Sequence, residues 1–410
     1  MKKLKPHIVW LFGVLCLLTS GGCTDRAAEK EYWTDPTVSP GLHVDLSTTT
    51  DSGRPVPVLC LGQKPYRATG VNCYDLFNGT ATYDDKDSAF RFDPSHAYAT
   101  LDRLKAEGVP VVRFNCGMYY DTELPAVIEY GEQYFATLKK IAEYAETCRI
   151  GLIPSLFWHF AAVPRYFGEP CRSWGRDTSR TLEFMKTYTR RVVETLQGCK
   201  SIFAWEFGNE FNLEADLPNW QEIYKTDDPD NCLTADDVQY AYETFVQTVR
   251  AVDSTGRLIC SGNAAMRPSQ YHQYVAHSWS ADTPQQYVEI TRKLNPDGMC
   301  SVSEHIYDRE RKVGPYDSLL DLDGQLALAR DAAHSMGKIY YVGEFAGVLS
   351  SEADYRIFYD GFLRAGVPLS LVWNFSMKGN IEHSSTAESD RGKYIFALIR
   401  EYNEKLNAVQ

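Results

Sequence analysis

A single closed α/β barrel, eight parallel strands each joined to the next by a helix, is the fold this chain predicts. Three observations lead there: eight short apolar runs of strand type, intervening segments with apolar residues three and four apart, and two glutamates, Glu210 and Glu344, each at the end of one such run. At 410 residues the chain has room for one (β/α)8 barrel with insertions.

The first strand is expected over Tyr66–Tyr74, followed by a helix near Ser95–Glu107. Val109–Asn115 gives the second strand, and Tyr134, Leu138, Ile141 and Ala145 fall on one face of the helix after it. Ile150–Phe157 is the third, with a helix over Thr178–Leu196. Ile202–Phe207 is the fourth, and its helix carries Val238, Tyr242, Phe245 and Val249 behind Thr234-Ala235-Asp236-Asp237, close to a capping box with Asp in place of Glu. Leu258–Ser261, Gly298–Ser303, Ile339–Val342 and Leu369–Asn374 complete the strands. Their helices are expected over Thr283–Leu294, Tyr316–Met336, Ser351–Arg364 and Asp390–Leu406. No internal repeat stands out, and no second module is expected after the last helix.

The N-terminus reads as an export signal. Met1-Lys2-Lys3-Leu4-Lys5 is basic, Ile8–Leu18 is apolar but too short to span a bilayer, and Thr19-Ser20-Gly21-Gly22-Cys23 is similar to a bacterial lipoprotein cleavage box, with Ser20 where an aliphatic residue is usual. Residues 1–22 are thus expected to leave as a signal peptide, Cys23 to carry lipid, 23–60 to form a tether rich in Thr, Ser, Pro and charge, and 61–410 to be the barrel. The product would be an outer-membrane or cell-surface lipoprotein, or periplasmic, touching membrane only through its anchor.

Losing Lys2, Lys3 and Lys5 moves the formal charge from −12 to −15. So acidic a surface excludes nucleic acid as a partner and suits a neutral one. Of 11 cysteines, nine lie beyond Cys23, without Cys-x-x-Cys pairs or zinc spacing, so no metal is expected. Cys73, Cys116, Cys260 and Cys300 fall within or beside predicted strands and read as small buried hydrophobes. The loops after the third and fourth strands are long and aromatic: Trp158, Phe160, Tyr166, Phe167 and Trp174, then Trp220 and Tyr224. Such rings stack on the C–H faces of sugars, although some only pin a loop.

Two carboxylates at the C-terminal rim of a barrel suit glycosidic bond cleavage, in which one acid protonates the leaving oxygen and the other captures the developing cation. The chain also carries Gly62-Gln63-Lys64-Pro65-Tyr66 as an entry hairpin before Gly70-Val71-Asn72 of the first strand, and then, toward the strand ends, Arg113 in Val111-Val112-Arg113-Phe114-Asn115, Asn209-Glu210, His305-Ile306-Tyr307, Glu344 and Trp373. In this order, from about Gln63 to Leu406, these residues resemble a clan A retaining glycoside hydrolase of family 5, the cellulase and β-mannanase family. The resemblance implies Glu210 as acid/base, Glu344 as nucleophile, and Arg113, Asn209, His305, Tyr307 and Trp373 around the substrate, with His159 a further match. It implies a β-linked mannan or glucan as substrate, with Ile202–Glu206 and His305–Tyr307 leaning toward mannan, and no cofactor.

Period two places His305 and Tyr307 on one strand face. A phenol there can bond the nucleophile, and Arg113 beside it would lower its pKa, whereas Glu210 needs surroundings that raise its own. Glu206, Glu214, Asp216 and Glu304 are rival acids near the same strand ends, where a carboxylate can be a buried structural link. Phe211 stands where the family usually has proline, which predicts an unusual path for the loop from Asn212 to Leu233. Two other readings compete: a surface glycan-binding lipoprotein on an inactive barrel, disfavoured by the complete set of polar residues, and a phosphate-using barrel enzyme, disfavoured by the charge and the missing Gly-rich loop.

Overall fold

The computed structural model describes residues 31–50, 53–84, 89–120, 123–314, 318–346, 351–379 and 384–408. The expected signal peptide, Cys23 and the first part of the tether lie outside these residues. The barrel strands are β1 (Ala68–Asn72), β2 (Val111–Asn115), β3 (Gly151–Phe157), β4 (Ala204–Gly208), β5 (Leu258–Cys260), β6 (Ser301–Ile306), β7 (Ile339–Phe345) and β8 (Leu369–Val372). They pair in parallel in the order β5-β4-β3-β2-β1-β8-β7-β6. The circle closes where the Cys300 amide donates to the Ile259 carbonyl at 3.0 Å.

Eight helices alternate with the strands: α1 (Ser95–Ala106), α2 (Glu123–Cys148), α3 (Arg180–Leu196), α4 (Ala235–Val252), α5 (Pro284–Lys293), α6 (Leu322–Ser335), α7 (Glu352–Ala365) and α8 (Asp390–Ala408). Capping boxes start three of them, Thr234 with Asp237, Thr283 with Gln286 and Ser351 with Asp354, so their first turns satisfy their own amides. The expected eight-stranded α/β barrel is the fold observed.

Alternate strand residues divide two cores. Ala68, Val111, Ile153, Ala204, Leu258, Ile339 and Leu369 face the barrel axis, while Phe114, Trp205, Phe207, Tyr340 and Phe345 face the helices.

Three expectations need correction. The tether read over 23–60 is, from Tyr32 on, part of the barrel's base. Leu42–Asp45 pairs antiparallel with Val58–Leu61, and Tyr32, Leu42, Leu59 and Leu61 pack under the N-terminal strand ends beside Phe203. The Leu42 amide donates to the Phe203 carbonyl at 2.8 Å. Two apolar alternations hidden among Ser, Thr and Pro outweigh composition. Second, the helix expected from Tyr316 starts at Leu322, because Ser318–Asp321 pairs with Glu310–Val313 and Asp321 then caps the helix through the Gly324 amide. Third, β6 and β7 run to Ile306 and Phe345, so His305 and Glu344 stand within strands instead of beyond them.

All nine described cysteines are free thiols, and Cys300 is half-buried where full burial was expected.

Candidate active site

β4 ends at Gly208, and two backbone bonds aim the residues after it. The Asn209 amide donates to the Phe157 carbonyl at 3.2 Å and the Glu210 amide to the Gly262 carbonyl at 2.9 Å. Glu210 takes a left-handed conformation, φ +57°, unusual outside glycine and common where a site dictates side-chain direction. Gly262, at φ +73°, permits it. A Cβ there would lie 1.8 Å from the Gly208 carbonyl oxygen, so only glycine lets the β5 loop approach β4 so closely.

β7 reaches the same place by a different device. Tyr341 faces the axis and Phe345 the helices, so period two alone would turn Glu344 outward. The pairing with β6 slips here: Glu304 opposes Val342 and His305 opposes Glu344, leaving Gly343 extra. This bulge rotates Glu344 inward. Gly343 has no room for a side chain, since a Cβ would meet the His305 ring at 2.9 Å.

The two glutamates meet around Arg113 and His305. Arg113, fully buried, donates to Glu344 Oε1 at 2.6 Å, Glu206 Oε1 at 2.7 Å, Asn209 Oδ1 at 2.8 Å and Asn72 Oδ1 at 3.0 Å. Tyr307 donates to the other Glu344 oxygen at 2.5 Å. His305 Nδ1 stands 2.8 Å from Glu210 Oε1 and 3.5 Å from Glu344 Oε1. Glu344 is 4 % exposed, whereas the Glu210 side chain is 29 % exposed to the mouth.

Burial raises the pKa of both Glu210 and Glu344. For Glu344, the His305 ring and the Arg113 charge pull the other way without reversing the direction, so the expectation that Arg113 would lower its pKa outright is corrected. Burial also works against the charge of Arg113, but Glu206 and Glu344 outweigh it and hold the guanidinium protonated. His305 is pushed down to about 4 by burial and stands neutral. The pair is thus unequal. Glu344 has a permanent cation and a phenol donating to it, and Glu210 has a neutral imidazole, so a single proton shared by the two belongs on Glu210.

Among the rival acids, Glu206 is sealed below the site by Arg113 and by Tyr341, whose hydroxyl donates at 3.0 Å. Glu304 faces the helices and takes the hydroxyls of Tyr287 and Tyr340. Glu214 accepts from Tyr224 at 2.5 Å, and Asp216 from the Ala235 amide at 3.0 Å. Trp373 comes directly after β8, its peptide bond to Asn374 is cis, and its ring faces Trp158 at 6.1 Å. His159 sits apart from this centre on the β3 loop, with its Nδ1 taking the Ala161 amide and its ring against Tyr119 and Phe160. Trp174, expected among the loop aromatics, is fully buried core.

Phe211, in the usual proline position, packs on Phe207 and Trp174, and Asn212 exchanges two 3.0 Å bonds with Ala264, so the loop after Glu210 is pinned to the β5 loop. Asn72 was left without a role by the sequence, and Trp158, expected as a sugar-stacking loop aromatic, instead lies with its ring 4.7 Å from the Arg113 guanidinium. Only the strand register, which sets Asn72 beside Arg113, reveals the part Asn72 takes.

Glu210, His305 and Glu344 are also the group that, among the described residues, offers metal-ligand spacing, with one donor atom of each within 4.8 Å of the others. Arg113 already binds Glu344 Oε1 at 2.6 Å, so a metal ion bound to this group would sit close to that guanidinium. The arrangement suits proton transfer and nucleophilic attack.

Two carboxyl groups of unlike setting at the C-terminal mouth of a (β/α)8 barrel are the arrangement that glycosidic bond cleavage uses. The family model described as Cellulase (glycosyl hydrolase family 5) matches residues 76–378, and the chain belongs to that family. No curated sequence matches it. Among solved structures it is similar to the endo-1,4-β-mannanase of Rhizomucor miehei, with 15 % identity, TM-score 0.60, and 85 % of this chain and 98 % of that one covered. It is similar to a family 5 mannosidase of the same organism, with 10 % identity, TM-score 0.59, and 90 % and 99 % covered. It is also similar to the catalytic domain of a Thermobifida fusca endoglucanase, with 13 % identity, TM-score 0.51, and 84 % and 95 % covered. At these identities the likeness is one of fold.

Proposed function

We propose that the protein is a retaining β-glycoside hydrolase acting within β-linked mannan or glucan chains, with Glu344 as nucleophile and Glu210 as acid/base. One observation carries the reading: the two carboxyl groups come within 4.8 Å through one oxygen each, and only Glu344 is tied to a cation. That spacing fits the roughly 5–5.5 Å of retaining pairs and leaves no room for the water of an inverting enzyme, which needs about 6.5–9.5 Å.

In the first step a Glu344 oxygen bonds the anomeric carbon, the bond to the leaving oxygen breaks, and the Glu210 proton moves to that oxygen. In the second step Glu210, now a carboxylate, takes a proton from water, whose oxygen bonds the anomeric carbon and frees Glu344. His305 orients Glu210 through the 2.8 Å contact. Asn209, its carbonyl occupied by Arg113, keeps its NH₂ for a sugar hydroxyl. Trp373 offers a face to the ring. The mannanase, mannosidase and endoglucanase neighbours favour mannan or glucan as substrate.

We also propose export and lipid attachment at Cys23, from the sequence of residues 1–23; the mass of the mature N-terminal peptide tests this. Among the described residues no helix is long and apolar enough to cross a membrane.

Azide separates the two glutamates. With an activated aryl β-glycoside, Glu210→Ala still forms the glycosyl-enzyme and azide yields the β-glycosyl azide, while cleavage of unactivated glycan falls roughly 10²–10⁴-fold. Glu344→Ala yields the α-azide. The same anomer from both variants, or a 2-fluoro glycoside label on Glu206 or Glu304, overturns the assignment.

A further inference from the structure

The rim carries an aromatic series that the glutamate network does not use. From Trp373 it passes to Trp158 at 6.1 Å between ring centroids, then edge-on to Tyr74 at 5.1 Å. Tyr74 in turn meets Tyr119 at 5.8 Å and Tyr120 at 6.4 Å, both after β2. The inner members Trp158 and Tyr74 are buried, but Tyr119 is 39 % and Tyr120 47 % exposed, set edge to face at 4.8 Å. The backbone from Gly117 to Tyr120 is tied locally. Gly117 and Met118 take positive φ, and one oxygen of the Glu123 carboxylate accepts the amides of Tyr119 at 2.5 Å and Tyr120 at 2.8 Å. Two aromatic rings are therefore exposed to water on a backbone held by Glu123, in continuity with the mouth. A pyranose ring stacks its C–H face on such a surface.

The series also has a direction, because it starts at Trp373, the ring proposed above to face the sugar at whose anomeric carbon Glu344 acts. The sugar attacked by Glu344 is the glycone. We infer that Tyr119 and Tyr120 form a further sugar-binding subsite for the β-linked chain on the glycone side, set in place by Glu123. The inference rests on the glycosidase reading above.

The test compares kcat/KM for 4-nitrophenyl β-glycosides bearing one, two and three β-1,4-linked sugars, in the mannose and glucose series. Wild type is expected to gain with each added sugar. Tyr119→Ala and Tyr120→Ala are expected to remove about two- to tenfold of that gain with the one-sugar substrate unaffected, while Tyr119→Phe, which keeps the ring, retains it. Glu123→Gln should lose part of the gain without touching the one-sugar rate. Thermal melting checks each variant, and Tyr120→Ser at the more exposed ring gives the same comparison if Tyr119→Ala melts early. Alanine variants that keep the whole gain, or lose equally on all three substrates, overturn the subsite. A wild type that cleaves one-sugar substrates but gains nothing from the second sugar removes the subsite alone. A wild type that cleaves neither series removes the glycosidase reading, and the subsite with it.

Discussion

The two ends of the barrel are built from the same strands and obey opposite rules. At the base the inward positions are Ala68, Val111, Ile153, Ala204, Leu258, Ile339 and Leu369, closed from below by Tyr32, Leu42, Leu59 and Leu61. Further along the same strands, the inward positions are Asn72, Arg113, Ser155, Glu206, His305 and Glu344, most of them joined by charge. β2 changes from one rule to the other between Val111 and Arg113. The base is stabilised by removing apolar surface from water, which needs no particular partner. The mouth buries ions, which is tolerable only while every partner is present. Stability at the base is consequently divisible among side chains, and at the mouth it is not.

The strongest way to break that contrast is Arg113→Met. It leaves Glu206 and Glu344 buried without their cation, so a mouth residue should lower stability by about 3–5 kcal/mol as well as abolish turnover. Chemical denaturation with an activity assay decides it, and an Arg113→Met protein as stable as wild type would mean that the carboxyl groups simply protonate.

Leu42→Ala tests the other end. Removing a fully buried leucine from the base should cost about 2–5 kcal/mol, while kcat of the folded fraction stays at the wild-type value. A fall in kcat at a temperature where the variant is folded would show that base and mouth are coupled.

The smallest effect belongs to Tyr307→Phe, which removes one hydroxyl from Glu344. A hydrogen bond to a charged group contributes about 1.5–3 kcal/mol, so kcat should fall by roughly 10- to 100-fold, with a smaller loss of stability than in Arg113→Met because the Arg113 cation stays on Glu344. The contact sets the sign of the pH effect. Tyr307 favours ionised Glu344, so its loss raises the Glu344 pKa, and the acid limb of the kcat/KM profile should move to higher pH. An unmoved limb would make Tyr307 a packing residue.

Much of the barrel was legible because each strand is a continuous apolar run ending in a polar residue, as in Val111-Val112-Arg113 or Phe207-Gly208-Asn209. Glu210 and Glu344 were legible for the same reason, while Arg113, Asn209, His305, Tyr307 and Trp373 were found through the resemblance to family 5. What escaped depends on contacts distant in sequence. Leu42–Asp45 is too short to stand out until Val58–Leu61 pairs with it. Asn72 reads as an ordinary strand end until Arg113 lies beside it. The inward turn of Glu344 depends on a slip against β6 that β7 alone does not encode, which is also why the apolar run of β7 reads as ending at Val342.

That slip makes chain length, more than side-chain identity, the constraint on this strand. Between Tyr341 and Phe345 one extra residue does the work of half a turn. Keeping that residue but straightening the bulge, so that Gly343 took the place opposite His305, would point the carboxyl at the ring cluster of Tyr355, Phe358 and Tyr359 that now surrounds Phe345, a place with no cation to meet it. Point substitutions can drift through β7 one at a time, but one further residue inserted before Glu344 and not bulged out would change the phase of the strand, and with it which side of the wall the chemistry is on.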